Sequence, residues 1–76
     1  MTLLQAQTNK IYKVTEVDGD EQLRRRLLDM GFTPDVRLYV VGVAPFGGTV
    51  LVSLRGFNVA LREDAASLIK LEACYD

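Results

Sequence analysis

The 76-residue chain contains no histidine, no tryptophan and a single cysteine, Cys74. One cysteine cannot close an internal disulfide, and without imidazole it leaves no ligand set for a structural zinc or an iron–sulfur cluster. The same absences empty the catalytic inventory. An activated Ser, Cys or Lys needs a base beside it, and here only carboxylates and lysines remain. Ser53 falls in the middle of a strand, Ser67 in a helical turn and Cys74 in the tail Cys74-Tyr75-Asp76, to which no role is assigned. Each reads as structural or solvated, so no enzyme is expected. Long hydrophobic runs are also missing, since a bilayer span needs about 20 apolar residues. The start Met1-Thr2-Leu3-Leu4-Gln5 lacks the basic head and apolar core of a signal peptide. The expected location is the cytoplasm, or the cytosolic face of a membrane through a partner, without insertion. Nor is there an excess of one charge. Nine Lys and Arg against ten Asp and Glu give −1, which is no footprint for nucleic acid.

What is present is the composition of a folded globular chain, 49% hydrophobic and 25% charged. Its length suits one domain spanning residues 1–76, with the core expected over about 10–72. A chain this short buries only about 60% of its unfolded surface, so spare apolar side chains become informative.

Residues 11–17 (IYKVTEV) are β-branched and aromatic and form the first strand. Asp18-Gly19-Asp20 breaks it, and Leu23, Leu27 and Met30 then recur on one helical stripe. Asp20 is the expected N-cap and Gly31 the left-handed position that ends the helix, which runs from about Glu21 to Met30. A second strand runs over 36–44, with Val36, Leu38 and Val40 on one face and a bulge or bend at Gly42. After the turn Pro45-Phe46-Gly47-Gly48, residues 49–55 alternate with Val50, Val52 and Leu54 on one side. Gly56 supplies a tight hairpin, and Phe57, Val59 and Leu61 alternate along a fourth strand. Residues 62–67 make one helical turn, and 68–73 close as a fifth strand with Ile69 and Leu71 inward. The fold class is therefore mainly β. So few strands cannot build two packed sheets, and a small SH3-like barrel of about five strands hides its edges by curling. One short α-helix lies between strands 1 and 2 and a helical turn precedes the last strand.

Asp18, Asp20 and Glu21 could hold a hard cation through oxygen. Helix capping accounts for them as well, so no cofactor and no metal site are expected, and weak divalent binding stays open but unsupported by the ligand set. Gly47-Gly48 lacks the GxxxxGK[ST] frame of a phosphate loop and reads as a turn. On a helical wheel Arg25 faces water with Asp29 one turn later as partner, and Arg26 sits at the stripe edge, placed to hydrogen-bond into the barrel. Leu28 falls off the stripe beside Arg24, so it is either covered by a loop or exposed. An apolar anchor next to cations is the make-up of a protein-binding patch. Phe46 at the hairpin tip either plugs the barrel end or meets the same partner, with Gly47 beside it. Arg24, Arg25, Leu28, Phe46 and Gly47 are the candidate partner-binding residues.

The string from Leu23 to Pro34 (LRRRLLDMGFTP), then Ala44-Pro45-Phe46-Gly47, then residues 55–62 (RGFNVALR) resembles the FeoA family, ferrous iron transport protein A. Order and spacing match over about residues 10–72. The resemblance implies an SH3-like barrel and a small cytosolic protein that assists FeoB, a membrane ferrous iron transporter with a cytosolic GTPase domain. Regulation, assembly and stabilisation of that transporter all remain open, as does a homo-oligomer. A related domain ends metal-dependent repressors of the DtxR type, which gives the alternative of a metal-responsive module sensing an ion through Asp18, Asp20 and Glu21. An SH3-type groove for Pro-rich ligands is the third reading, and the few aromatic residues argue against it. Two departures stand out: Pro34-Asp35 where the family commonly has Pro-Gly, and Phe46-Gly47-Gly48-Thr49 where it often has Phe-Gly-Asp-Pro.

Overall fold

A computed structural model describes residues 1–44 and 48–74. The chain opens with a 3₁₀ turn, Leu3–Gln5, and continues as β1 (Ile11–Val17), α1 (Glu21–Asp29), β2 (Arg37–Val43), β3 (Thr49–Leu54), β4 (Phe57–Arg62), α2 (Glu63–Ala66) and β5 (Ile69–Ala73). All neighbouring strands are antiparallel, in the order β4-β3-β2-β1-β5. Every expected strand and both helical segments are present. The strand alternations hold where they matter: Val14, Leu38, Val40, Val50, Val52, Leu54, Ile69 and Leu71 are all buried. Removing such side chains from water is the main favourable term in so small a domain.

Two irregularities shape the sheet. The β2–β3 register shifts between Val40 and Gly42, as the glycine predicted, and the β1–β5 register shifts between Val14 and Glu16. Bulges of this kind bend a strand and increase its twist. The β3–β4 ladder has no such break over its six pairs, Thr49↔Arg62 to Leu54↔Phe57. Its turn is Arg55-Gly56, with φ of 51° and 84°, the two positive values of a type I′ hairpin.

The turn into β2 uses Pro34-Asp35. Asp35 takes φ 70°, and the Val36 N–H donates to the Thr33 carbonyl at 3.1 Å, the pattern of a type II turn with an aspartate in the place glycine usually fills. The departure from Pro-Gly therefore keeps the turn at the cost of a left-handed non-glycine residue.

Three features differ from the expectation. Leu3, outside the 10–72 stretch, is 1% exposed and belongs to the core cluster. The Leu71 N–H donates to the Met1 carbonyl at 2.8 Å and Thr2 bridges Lys70, so the first residues lie along the outer edge of β5. Phe57, expected in line with Val59 and Leu61, is 51% exposed although its cross-strand partner Leu54 is buried, since β4 is the edge strand and has no strand beyond it to cover the ring.

Candidate functional site

Helix α1 carries the candidate surface, and its ends are fixed by local chemistry. The Leu23 N–H donates to Asp20 Oδ1 at 2.8 Å, which satisfies one of the unpaired amides of the first turn. At the other end Gly31 (φ 113°) donates to the Leu28 carbonyl at 3.0 Å and Phe32 to the Leu27 carbonyl at 3.1 Å. This is a Schellman motif, and its characteristic apolar contact is between Phe32 and Leu27, both buried in the core. Phe32 takes the inward place that the wheel gave to Met30. Met30 is consequently 37% exposed and is corrected from stripe residue to surface residue.

Leu27 is the buried residue of α1, with Leu23 and Leu28 half-buried against the core. Leu28 is thus neither free in solvent nor fully covered. Arg24, Arg25 and Arg26 are exposed. Arg25 lies 3.8 Å from Glu21 rather than pairing with Asp29, the expected partner. Glu preceding a cation by four residues is the favoured order, and Glu21 also gains from the positive helix start. The expected hydrogen bond from Arg26 into the barrel is absent: among the described residues its side chain has no hydrogen-bond partner. The structure therefore exposes Arg24 and Arg25 together and sets Leu28 in the seam below them. Phe46 and Gly47 lie outside the described residues.

A feature missed in the sequence adjoins this surface. Arg26 and Met30 of α1 face Ala60 and Arg62 of β4, and Asp64 and Ala65 of α2, across a shallow groove of about 320 Å³. No periodicity announces it, because it arises where a helix and a strand edge distant in sequence run side by side.

The acidic residues near α1 are each engaged. Asp18 lies 3.2 Å from Lys70, Asp20 caps the helix and Glu21 pairs with Arg25. Among the described residues no group of three or more His, Cys, Asp and Glu is placed to share a cation. The Lys70 ammonium is held above its ordinary pKa, first by its hydrogen bond to Asp18 and then by the charges of Asp18 and Glu16. Ser67 donates to the Asp64 carbonyl at 2.6 Å and serves its own turn. Among the described residues no helix is long and apolar enough to cross a membrane.

Strand order and the helix inserted after β1 define the chain as an SH3-like barrel. The FeoA domain model matches residues 1–73, and the chain belongs to that family. A curated relative, the Fe(2+) transport protein A/Fe(2+) transporter FeoB fusion protein of Porphyromonas gingivalis, is 32% identical over 72 residues; these are 95% of this chain but 8% of that protein's length. The solution structure of FeoA from Chlorobium tepidum is 28% identical with a TM-score of 0.88, over 99% of this chain and 71% of that one. FeoA of Stenotrophomonas maltophilia complexed with zinc, described as a procaryotic SH3 domain protein, is 26% identical with a TM-score of 0.79, over 95% and 89%. A manganese-dependent transcriptional repressor in complex with manganese shares the fold with a TM-score of 0.89 at 25% identity, over 97% of this chain and 36% of the repressor. The likeness to repressors is thus one of structure.

Proposed function

We propose that this chain is a non-catalytic accessory module of ferrous iron uptake that docks on a FeoB-type transporter. The observation that carries the reading is the relative in which FeoA and FeoB form one polypeptide, since fusion keeps two partners within reach of each other. Arg24 and Arg25 on α1 supply the docking cations and Leu28 the apolar seam beneath them; Phe46 and Gly47, outside the described residues, are the further contact residues of this reading. The exposed arginines give orientation and rate, and the apolar seam gives residence time.

The test is calorimetric titration of the protein into the cytosolic GTPase domain of a FeoB-type transporter and into the detergent-solubilised transporter, each with and without nucleotide. Saturable binding is expected, weakened at least about tenfold when Arg24→Glu and Arg25→Glu are combined, with an unchanged melting temperature. Leu28→Glu weakens binding too, but it also lowers the melting temperature because Leu28 packs partly on the core. No binding in any nucleotide state would sink the docking reading. A melting temperature raised by ferrous or manganous ion would instead favour the metal-responsive reading through Asp18, Asp20 and Glu21.

A further inference from the structure

The outward face of the sheet carries an apolar row around β2. Ile11 of β1 and Tyr39 of β2 stand opposite each other, 46% and 41% exposed, and Tyr39 in turn stands opposite Ser53 of β3. Toward the end of these strands the row gives way to charge. Arg37, at the start of β2, and Arg55, just past the end of β3, are both exposed and line one shallow cleft of about 320 Å³ with Ile11, Tyr39 and Ser53. Two guanidinium groups beside one cleft repel each other, and like charges across a ladder destabilise it. The fold does not offset that repulsion. Among the described residues no carboxylate lines the cleft and none forms an ion pair with Arg37 or Arg55, Asp35 included. Lys13, opposite Arg37 in the β1–β2 register, shows the contrast, since Glu72 holds it at 3.0 Å. Arg55 donates one hydrogen bond, to Thr33 Oγ1 at 3.1 Å. Among the described residues the Arg37 guanidinium and the hydroxyls of Tyr39 and Ser53 have no hydrogen-bond partner.

We propose that this cleft binds an extended acidic segment of a partner protein, with a carboxylate between Arg37 and Arg55 and a bulky apolar side chain over Ile11 and Tyr39. Charge complementarity selects the acidic class. A carboxylate there relieves the repulsion between the two cations and accepts the hydrogen bonds that Arg37 and the Ser53 hydroxyl leave unmade. The apolar row selects a peptide over a free anion, because an anion alone would leave Ile11 and Tyr39 in water. Sheet geometry then sets the spacing. Side chains two residues apart on β2 share a face and lie about 7 Å apart, which is also the separation of alternate side chains along an extended peptide. The recognised pattern is therefore an acidic residue, any residue and then an apolar one. Val41, 40% exposed and the next exposed residue of β2, prolongs the row by one further apolar position. The cleft shares no residue with the α1 surface, so it stands or falls apart from the docking of Arg24 and Arg25.

The test follows the backbone amides of the isotope-labelled protein by NMR as the acetylated, amidated peptide Gly-Asp-Gly-Phe-Gly is added. Weak saturable binding is expected, with a Kd on the order of 1 mM and shifts concentrated at Ile11, Tyr39, Ser53 and Gly56. Changing the peptide's Asp to Asn, or Arg37→Ala in the protein, should weaken binding about fivefold, and raised salt should weaken it too. Closing the spacing, in Gly-Gly-Asp-Phe-Gly, should cost about threefold, and Tyr39→Ser should remove the advantage of Phe over Ala in the peptide. Arg37→Ala should leave the melting temperature unchanged or higher, because it relieves a like-charge contact. A lower melting temperature would make Arg37 a structural residue and overturn the proposal. So would shifts centred elsewhere, or equal binding of the Asp and Asn peptides. Inorganic phosphate binding as tightly as the peptide, with no gain from Phe, would overturn it as well and leave a site for a free anion.

Discussion

The two edges of this sheet solve the same problem in opposite ways. At β5 the chain folds its own start against the strand, the ladder to β1 is interrupted by a bulge in β1 between Val14 and Glu16, and Lys70 is tied down by Glu16 at 3.5 Å and Asp18 at 3.2 Å. At β4 the ladder is regular, the outer face is exposed and Phe57 stands in solvent. An edge sealed by backbone hydrogen bonds contributes stability directly, whereas the edge of β4 is bordered only across the groove to α1. The largest way to break this contrast is Leu3→Ala. Leu3 anchors the covering segment in the core, so its loss should cost about 2–4 kcal/mol in denaturant unfolding and lower the melting midpoint by roughly 10 °C or more. Hydrogen exchange should rise at Leu71, whose amide bonds to Met1, and not at Val52.

A smaller effect is expected at the open edge. Gly56→Ala forces a Cβ onto φ 84°, and although nothing lies within 4 Å of it, the left-handed backbone should cost about 1 kcal/mol. The unfolding midpoint should fall by that amount while the covering of β5 is unchanged. If the loss reaches the size seen for Leu3→Ala, β4 is holding more of the fold than its exposure implies.

The smallest effect sharpens the comparison by pH. Lys70 and Lys13 are both raised above their ordinary value near 10.5, Lys70 chiefly by its hydrogen bond to Asp18 and Lys13 by its hydrogen bond to Glu72. A raised lysine stabilises the folded state fully below the unfolded value and loses that contribution as pH rises through the folded one. Both lysines lie on the β1–β5 side, so a modest destabilisation above about pH 10.5 should appear there, and Lys70→Met should flatten it. Solvent screening keeps the effect small at these exposed sites. Melting curves from pH 8 to pH 12 check the sign.

Much of the fold was legible because its signals are local. The alternation of Val50, Val52 and Leu54, the Asp20 cap and the Gly31 stop each act through neighbours a few residues away, and each was found in place. Leu3 gave no signal, since two adjacent leucines carry no period, and which of them is buried depends on the distant β5: Leu3 is 1% exposed and Leu4 44%. Met30 misled for the opposite reason. The wheel assumes the helix continues, but the Schellman turn at Gly31 sends Phe32 into the core instead. The exposure of Arg24 and Arg25 followed from the wheel, whereas the half-burial of Leu28 depends on packing that no helical projection contains. The groove between α1 and β4 joins surfaces remote in sequence and was invisible for the same reason.

The segment that covers β5 also orders events in time. The β3–β4 hairpin closes around two residues, a contact formed on the order of microseconds, while the bond between Met1 and Leu71 closes nearly the whole chain. The regular hairpin therefore arises early and the seal on β5 comes last. Throughout assembly the molecule carries two unsatisfied borders, and only at the end does it keep one.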